Sequence, residues 1–523
     1  MKFRYVLVGS MFLAGCQITG QSDVATTTNT PEQQEKALLK TDIVQTPVKT
    51  EKVEETTPVI TPQTQDDVWE RIAMQLEMPV PENKRVNYYR NWYLKHPQHL
   101  KTVSERAEPF LYLITEKVEE RGIPLEIALL PVVESSFDQF AYSHGRAAGL
   151  WQFVPDTGRR FGLEQNWWYD GRRDVVASTD AALDLLEYLH KKFDGDWLHA
   201  LAAYNTGEGR VFRAIKKNKA KGLPTDFWHL SLPKETSGYV PKLIAVADVV
   251  KNKERYGLDL PAIANKPVVE QVEPGVQMDL ALAANYAGLS LSELQSLNPA
   301  YNHWATAPDG TNHLLLPKEN VARFNSNLTE NNNQGIKVTR YKVKSGDSLG
   351  LIAKRHNTTV KVIQRANSLK GTNIRVGEHL LIPVSLKDEG QYTLSAPQRL
   401  AKLTSKKRGD IKLTHTVQKG DSFWTIARKH SVSHTSLARW NGMAPKDPLR
   451  IGQDLVIWKK ADEGARIRTI FYQIREGDSL SGIAARYKVS VSDLVKWNSL
   501  KKNAYIQPGQ KLKLYIDVTK VSA

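Results

Sequence analysis

The chain has 523 residues, too many for one hydrophobic core, so several domains are expected. It carries 72 Lys and Arg against 56 Asp and Glu, unevenly placed: residues 336–523 hold 36 basic and 14 acidic side chains, leaving 36 against 42 elsewhere. The basic excess is scattered through small repeated segments with no zinc-finger, RNA-recognition or basic-zipper pattern, which argues against nucleic acid and leaves an anionic envelope surface or ordinary solvated faces.

Lys2 and Arg4 precede the apolar stretch Val6 to Leu13 and then Leu13-Ala14-Gly15-Cys16. A positive start, a short apolar centre and small residues before a cut mark a secretory signal too short to span a membrane; the alternative is a buried N-terminal helix. Cys16 is the only cysteine, so no internal disulfide can form. Leu-Ala-Gly-Cys resembles a bacterial lipobox. That resemblance implies a lipoprotein signal peptide at 1–16 and a lipid on Cys16. Gln17 in place of Asp implies the periplasmic face of a Gram-negative outer membrane. Residues 17–66 are rich in Thr, Gln, Glu, Pro and Val, and cannot bury enough apolar surface to fold. They are expected to be a disordered tether spanning roughly 40 Å on average.

From 67 to 262 the pattern is helical, with stops at Gly122-Ile123-Pro124, Gly145, Gly195 and Gly222-Leu223-Pro224. The part before Gly122, with Trp69 and Trp92, reads as extra helical packing. Ile127 to Val133 is an apolar run closed by Glu134-Ser135-Ser136-Phe137. Read as one helix, it places Glu134 on the face of Ile127 and Leu130, where burial would raise the carboxyl pKa as a general acid requires. A lone Glu at such a place would instead be a solvated helix end. Three further motifs follow: Gly149-Leu150-Trp151-Gln152-Phe153-Val154-Pro155, Ala203-Tyr204-Asn205-Thr206-Gly207-Glu208-Gly209 and Glu235-Thr236-Ser237-Gly238-Tyr239-Val240-Pro241-Lys242.

Together, in this order, these motifs resemble the goose-lysozyme-like catalytic domain of lytic transglycosylases, with its core at 122–242. The resemblance implies Glu134 as catalytic acid and Ser143, Gln152, Tyr204, Asn205 and Tyr239 as residues of the substrate cleft, Tyr239 near Glu134. Gln152 and Asn205 can also be read as buried amides serving loop backbone. Trp151, Phe153 and Tyr204 can stack on sugars or pack in the core.

The C-terminal half repeats. Tyr341 to Leu349 returns as His415 to Phe423 and again as Tyr472 to Leu480, each with Gly-Asp-Ser; Asn367, Asn441 and Asn498 lie twenty residues past the Asp. Strand, helix, helix, strand in about 44 residues resembles LysM domains, βααβ modules that bind N-acetylglucosamine-containing glycans. They are placed at 340–384, 414–458 and 471–516, with linkers at about 385–413 and 459–470. Residues 263–335 read as a degenerate copy, lacking the Gly-Asp-Ser start. Asp and Ser of that turn are good helix N-caps. The glycan groove is expected beside it, from Gly346, Asp347, Ser348 and Leu349 with Ile374; from Gly420, Asp421, Ser422 and Phe423 with Ile451; and from Gly477, Asp478, Ser479 and Leu480 with Ile506. Three weak sites on one chain gain by avidity.

The fold class is therefore multidomain: a mainly α lysozyme-like domain followed by small α+β modules. No metal or cofactor is expected, because His-Glu-x-x-His, calcium-loop and phosphate-loop patterns are missing from the sequence. The family resemblance implies cleavage of the bond between N-acetylmuramic acid and N-acetylglucosamine in peptidoglycan, with a 1,6-anhydro end. Asp138, Asp156, Asp170 and Asp174 each read as turn or cap residues, not as a second catalytic carboxylate. Two alternatives stand beside this: a hydrolytic muramidase on the same fold, and a non-catalytic glycan-binding scaffold. Protein partners are not legible.

Overall fold

The computed structural model describes residues 60–143, 145–460, 467–500 and 505–517. The expected signal peptide with Cys16, nearly all of the expected tether and part of the linker at 459–470 lie outside the described residues. Among the described residues no helix is long and apolar enough to cross a membrane.

Helices Val68–Ala73, Lys84–Lys95, Pro97–Ala107 and Leu111–Glu120 precede Gly122, the first two capped by Asp67 and Asn83 side chains on backbone N–H groups. Trp69, Tyr93, Phe110 and Trp151 are among the large side chains in their common core. Helix Lys234–Lys251 is buried along most of its length and packs against Lys84–Lys95 and Trp197–Thr206. Pro241 lies inside it and has no N–H to give Ser237, four residues back. The freed Ser237 carbonyl accepts Arg85 Nη1 at 3.0 Å, so the interruption is satisfied by a neighbouring helix.

The apolar run before Glu134 is not the single helix expected. Leu125–Leu129 is a 3₁₀ turn and Leu130–Glu134 one turn of α-helix, with Pro131 in its first turn, where a missing N–H costs nothing.

Four two-stranded antiparallel sheets follow: Val269–Val272 with Leu314–Pro317, Lys337–Lys342 with His379–Val384, Ile411–Thr416 with Asp454–Lys459, and Ile467–Gln473 with Lys511–Asp517. In each unit two short helices lie between the strands. One Asn ties the second helix to the last strand. Asn441 donates to the Leu437 and Val456 carbonyls, both at 2.8 Å, and accepts the Val456 N–H at 2.7 Å. Asn367 and Asn498 do the same with Leu381 and Lys513. Asn298 does so with Leu315 in the degenerate copy, which keeps the fold without the Gly-Asp-Ser turn. Asn441→Leu should leave two backbone groups of Val456 unpaired and cost its module about 2–4 kcal/mol. Hydrogen exchange would show lost protection over Asp454–Lys459 with the other modules unchanged.

The turn residues divide their labour differently from expectation. Ser348, Ser422 and Ser479 are the helix N-caps. The Asp residues instead close the turn: Asp347 accepts Lys344 N at 2.8 Å and Tyr341 Oη at 2.7 Å, and Asp478 accepts Arg475 N and Tyr472 Oη. Asp421 accepts Gln418 N and meets His415 Nε2 at 2.7 Å.

The degenerate unit is fused to the helical domain. Asp170 N donates to Ala300 O at 2.9 Å, Asn302 N to Trp168 O at 2.8 Å, and Trp167 stacks on His303 with centroids 3.4 Å apart. Asp174 caps helix Val175–Lys192 while bonding His313 Nε2 at 2.6 Å. The linker expected at about 385–413 also differs, since its last residues already belong to strand Ile411–Thr416. Tyr392 is buried with its hydroxyl on Asp279, and helix Ala396–Ser405 is anchored by Ala396 N on Asn302 O at 2.8 Å. Its sequence is Lys- and Ser-rich; its order comes from contacts distant in sequence.

Candidate active site

Glu134 ends its helical turn where the chain reverses through Ser136 and Phe137, both at φ +54°, a backbone region that side chains disfavour. Phe137, fully buried, and its N–H on Pro131 O at 3.1 Å hold that reversal. Burial of a Phe side chain contributes about 2–3 kcal/mol, enough to offset the strain. The reversal leaves the Glu134 carboxyl beside helix Lys234–Lys251, where Tyr239 Oη donates to Oε1 at 2.5 Å. One turn on, Lys242 Nζ donates to Val133 O at 3.2 Å.

Burial pushes the Glu134 carboxyl up to about 7, against the Tyr239 hydrogen bond and the Lys242 charge, which favour ionisation; Glu235 raises it slightly. A carboxyl at that value can give and take a proton near neutral pH. Burial and the neighbouring Glu134 charge hold the Tyr239 and Tyr204 hydroxyls well above the ordinary phenol range, so both stay neutral donors. Tyr239→Phe should remove a bond to the charged form and raise the Glu134 pKa by about 1–2 units. The alkaline limb of the pH–rate profile then moves to higher pH; an unmoved limb would sink this assignment.

Of the other expected cleft residues, Tyr204 and Asn205 lie on helix Trp197–Thr206 and Ser143 and Gln152 on loops. Tyr204 Oη donates to Trp151 O at 2.7 Å, and Gln152, at φ +51°, folds its amide onto Gly149 O at 2.8 Å. Asn205 accepts Thr236 Oγ1 at 2.8 Å. Ser143 Oγ accepts the N–H groups of Gly145 and Ala147, closing its own loop. Trp151 and Phe153 are buried core residues and present no face for a sugar. Gly149 sits at φ +78°, and a Cβ there would come 1.9 Å from Arg172 O, so only glycine fits.

The four aspartates are turned elsewhere. Asp138 accepts Phe140 N at 2.9 Å, Asp156 pairs with Arg159, Asp170 pairs with Arg172 and Arg173, and Asp174 holds His313. Among the described residues, the carboxylate whose charge reaches Glu134 is exposed Glu235. Lys242 has no role in the sequence reading; its place in the Pro-Lys step one helical turn past Tyr239 is the signal that puts it on the same face.

In the three later modules, backbone bonds bring the two halves of each expected groove together: Gly377 N to Val343 O, Gly452 N to Val417 O and Gly509 N to Ile474 O, at 2.8–2.9 Å. Gly346, Gly420 and Gly477 are exposed there, while Leu349 and Phe423 are core. The expected apolar partners were not in one register. Ile374 and Ile506 pack on their cores, as does Leu449, whereas Ile451 is the counterpart of Val376 and is 73% exposed. Trp424, 58% exposed next to Phe423, is a sugar-stacking candidate the sequence reading missed. In the degenerate unit the equivalent helix start is covered by the chain itself: Asp279 accepts Leu386 N and Tyr392 Oη.

The transglycosylase SLT domain family matches residues 112–226, the LysM-like domain of lytic transglycosylase MltD matches 269–333, and the LysM family matches 341–383, 415–458 and 472–514. A helical SLT domain followed by these modules defines a peptidoglycan lytic transglycosylase with LysM repeats. Membrane-bound lytic murein transglycosylase D of Escherichia coli (strain K12) is 36% identical over 466 residues, 86% of this chain and 98% of that one. The chain belongs to the membrane-bound lytic murein transglycosylase D family. Autolysin of Enterococcus faecalis is 31% identical over 35% of this chain and 25% of its own. The solved lytic transglycosylase Slt of Pseudomonas aeruginosa is 24% identical over 29% of this chain and 25% of its own, with a TM-score of 0.22.

Proposed function

We propose that Glu134 is the acid and then the base of this lytic transglycosylase. Its protonated carboxyl gives its proton to the glycosidic oxygen as the bond from N-acetylmuramic acid to N-acetylglucosamine breaks. The carboxylate left behind takes the proton of the C6 hydroxyl on the same muramic residue. That oxygen bonds to the anomeric carbon, giving a 1,6-anhydro ring and consuming no water. Both reacting groups sit on one sugar, which supplies proximity. Tyr239 donates to the carboxylate form, and Ser143, Gln152, Tyr204 and Asn205 shape the cleft.

The observation that carries this is a carboxyl at about 7 paired with Tyr239, with the nearby aspartates engaged elsewhere. Mass spectrometry of products from purified peptidoglycan tests it: muropeptides one water lighter than the hydrated form, absent with Glu134→Gln. Hydrated ends would make the enzyme a muramidase, with Glu235 the carboxylate to examine.

The three LysM modules hold the enzyme on glycan by avidity, each through the groove beside its Gly-Asp-Ser turn. The finer location is an outer-membrane lipoprotein on the periplasmic side, held by a lipid on Cys16 and reaching its substrate through residues 17–66. The lipobox-like Leu-Ala-Gly-Cys and the membrane-bound name of the Escherichia coli relative support this. Cys16→Ala should abolish incorporation of radiolabelled palmitate and release the enzyme from membrane fractions.

A further inference from the structure

A cavity of about 860 Å³ lies where three parts of the chain meet. The helical domain gives the loop from Asp138 to Arg146 and Arg173; helix Ala396–Ser405 gives Arg399 and Leu400; the second LysM module gives Arg439, Asp447 and Arg450. Ser143, an expected cleft residue, lines it, as does Asp138, four residues past Glu134. The module is held there by Asp447, which meets Arg146 Nε at 2.6 Å and Tyr142 Oη at 3.4 Å, while Leu400 and Leu403 of the helix reach Gly442.

Five arginines line this cavity against two aspartates, and Asp447 is committed to Arg146. Arg173 pairs with Asp170, yet its Nε is buried with no partner. Arg399 stacks over Phe140 at 4.8 Å without an ion pair among the described residues. Burial, with the Arg173 charge beside it, pulls its guanidinium down to about 9. Asp170 and Asp138 offset part of this charge, and the spare Arg173 donor, unpartnered among the described residues, leaves room for a further anion. Planar forks of this kind fit carboxylates in two-point contact. Arg439 and Arg450 extend the same charge to the exposed rim.

We propose that this cavity binds the carboxylate-bearing peptide attached to the muramic residues of the glycan strand, beside the bond being cut. The inference rests on the transglycosylase reading of Glu134, since that reading places the strand along the loop carrying Ser143. On it, the second LysM module helps build a peptide subsite as well as retaining glycan. The carboxylates go to Arg173 and Arg399, and the peptide backbone runs toward Arg439.

The test uses the full chain carrying Glu134→Gln, so that nothing is cut. Binding of soluble glycan strands bearing tetrapeptides is compared with binding of the same strands stripped by an amidase. Peptide-bearing strands should bind about tenfold more tightly. Arg439→Ala and Arg399→Gln should each erase most of that advantage and leave stripped strands bound as before. Arg439 is exposed and has no ion pair among the described residues, so its variant folds; circular dichroism checks Arg399→Gln. Equal affinity for both strands, or an equal loss on both, would overturn the proposal. Arginine-dependent binding to vesicles of anionic phospholipid, with no preference for peptide-bearing strands, would overturn it in favour of a lipid headgroup. Anhydro products from stripped strands with the unmutated enzyme report on Glu134 alone, so the two readings fail separately.

Discussion

Glu134→Gln should lower turnover by about a thousandfold or more, the range lost when a positioned acid–base group is removed. The same change should stabilise the protein, and only at high pH. The native carboxyl sits at about 7 against an ordinary 4.5, so the folded state holds its proton more tightly than the unfolded chain. That contribution is fully present below about 4.5 and is lost as pH rises through 7, when a buried charge must be carried. Glutamine never ionises and avoids the loss. With water partly reaching the group, the difference should be about 1–3 kcal/mol near pH 9 and close to zero near pH 4. Melting temperatures of both proteins at the two pH values decide it. A variant that is inactive yet gains nothing at high pH would mean the carboxyl is not held in the burial described.

Gly149→Ala should be among the most damaging single-methyl additions in the molecule. It forces a side chain into the left-handed region and drives a Cβ to 1.9 Å from the Arg172 carbonyl oxygen, a backbone atom that cannot step aside. The loop carrying Trp151 and Gln152 must then move, and with it the Trp151 carbonyl that receives Tyr204. The expected cost is about 3 kcal/mol or more, read from the denaturant midpoint, with activity falling in proportion to the displaced loop. Gly122→Ala supplies the control. Gly122 has φ +61° but nothing within 4 Å of its added Cβ, so only the backbone penalty of about 1 kcal/mol remains. Equal losses in the two would show that conformation, and not the Arg172 contact, is what matters.

The motifs carried most of the site because each is a local run whose chemistry survives translation into one dimension. Glu134 at the end of an apolar stretch and Tyr239 in a helix of its own could be paired from the family resemblance, and the structure puts them 2.5 Å apart. What escaped was set by packing. The helical reading of Ile127 to Glu134 could not foresee the switch from a 3₁₀ to an α turn, since both bury the same residues. Residues 385–410 look like a linker because the apolar partners of Tyr392, Leu400 and Leu403 lie elsewhere in the chain. Ile451 was aligned by residue type with Ile374, but Gly377 and Gly452, bonded alike to their first strands, set the register one alternation away.

The Asn stitch has a consequence for how such a protein changes over time. In all four units the bonds that hold helix to strand come from a buried or half-buried amide, while in the three later units the expected groove draws on other residues, those of the Gly-Asp-Ser turn and of the loop before the last strand. The instructions for folding and for binding are therefore written in separate residues. A unit without that groove can still serve as masonry, as the one beginning at Val269 does: its helix start is sealed by Leu386 and Tyr392, and it is bonded to the cutting domain. Repetition thus gives this chain structural material as well as affinity.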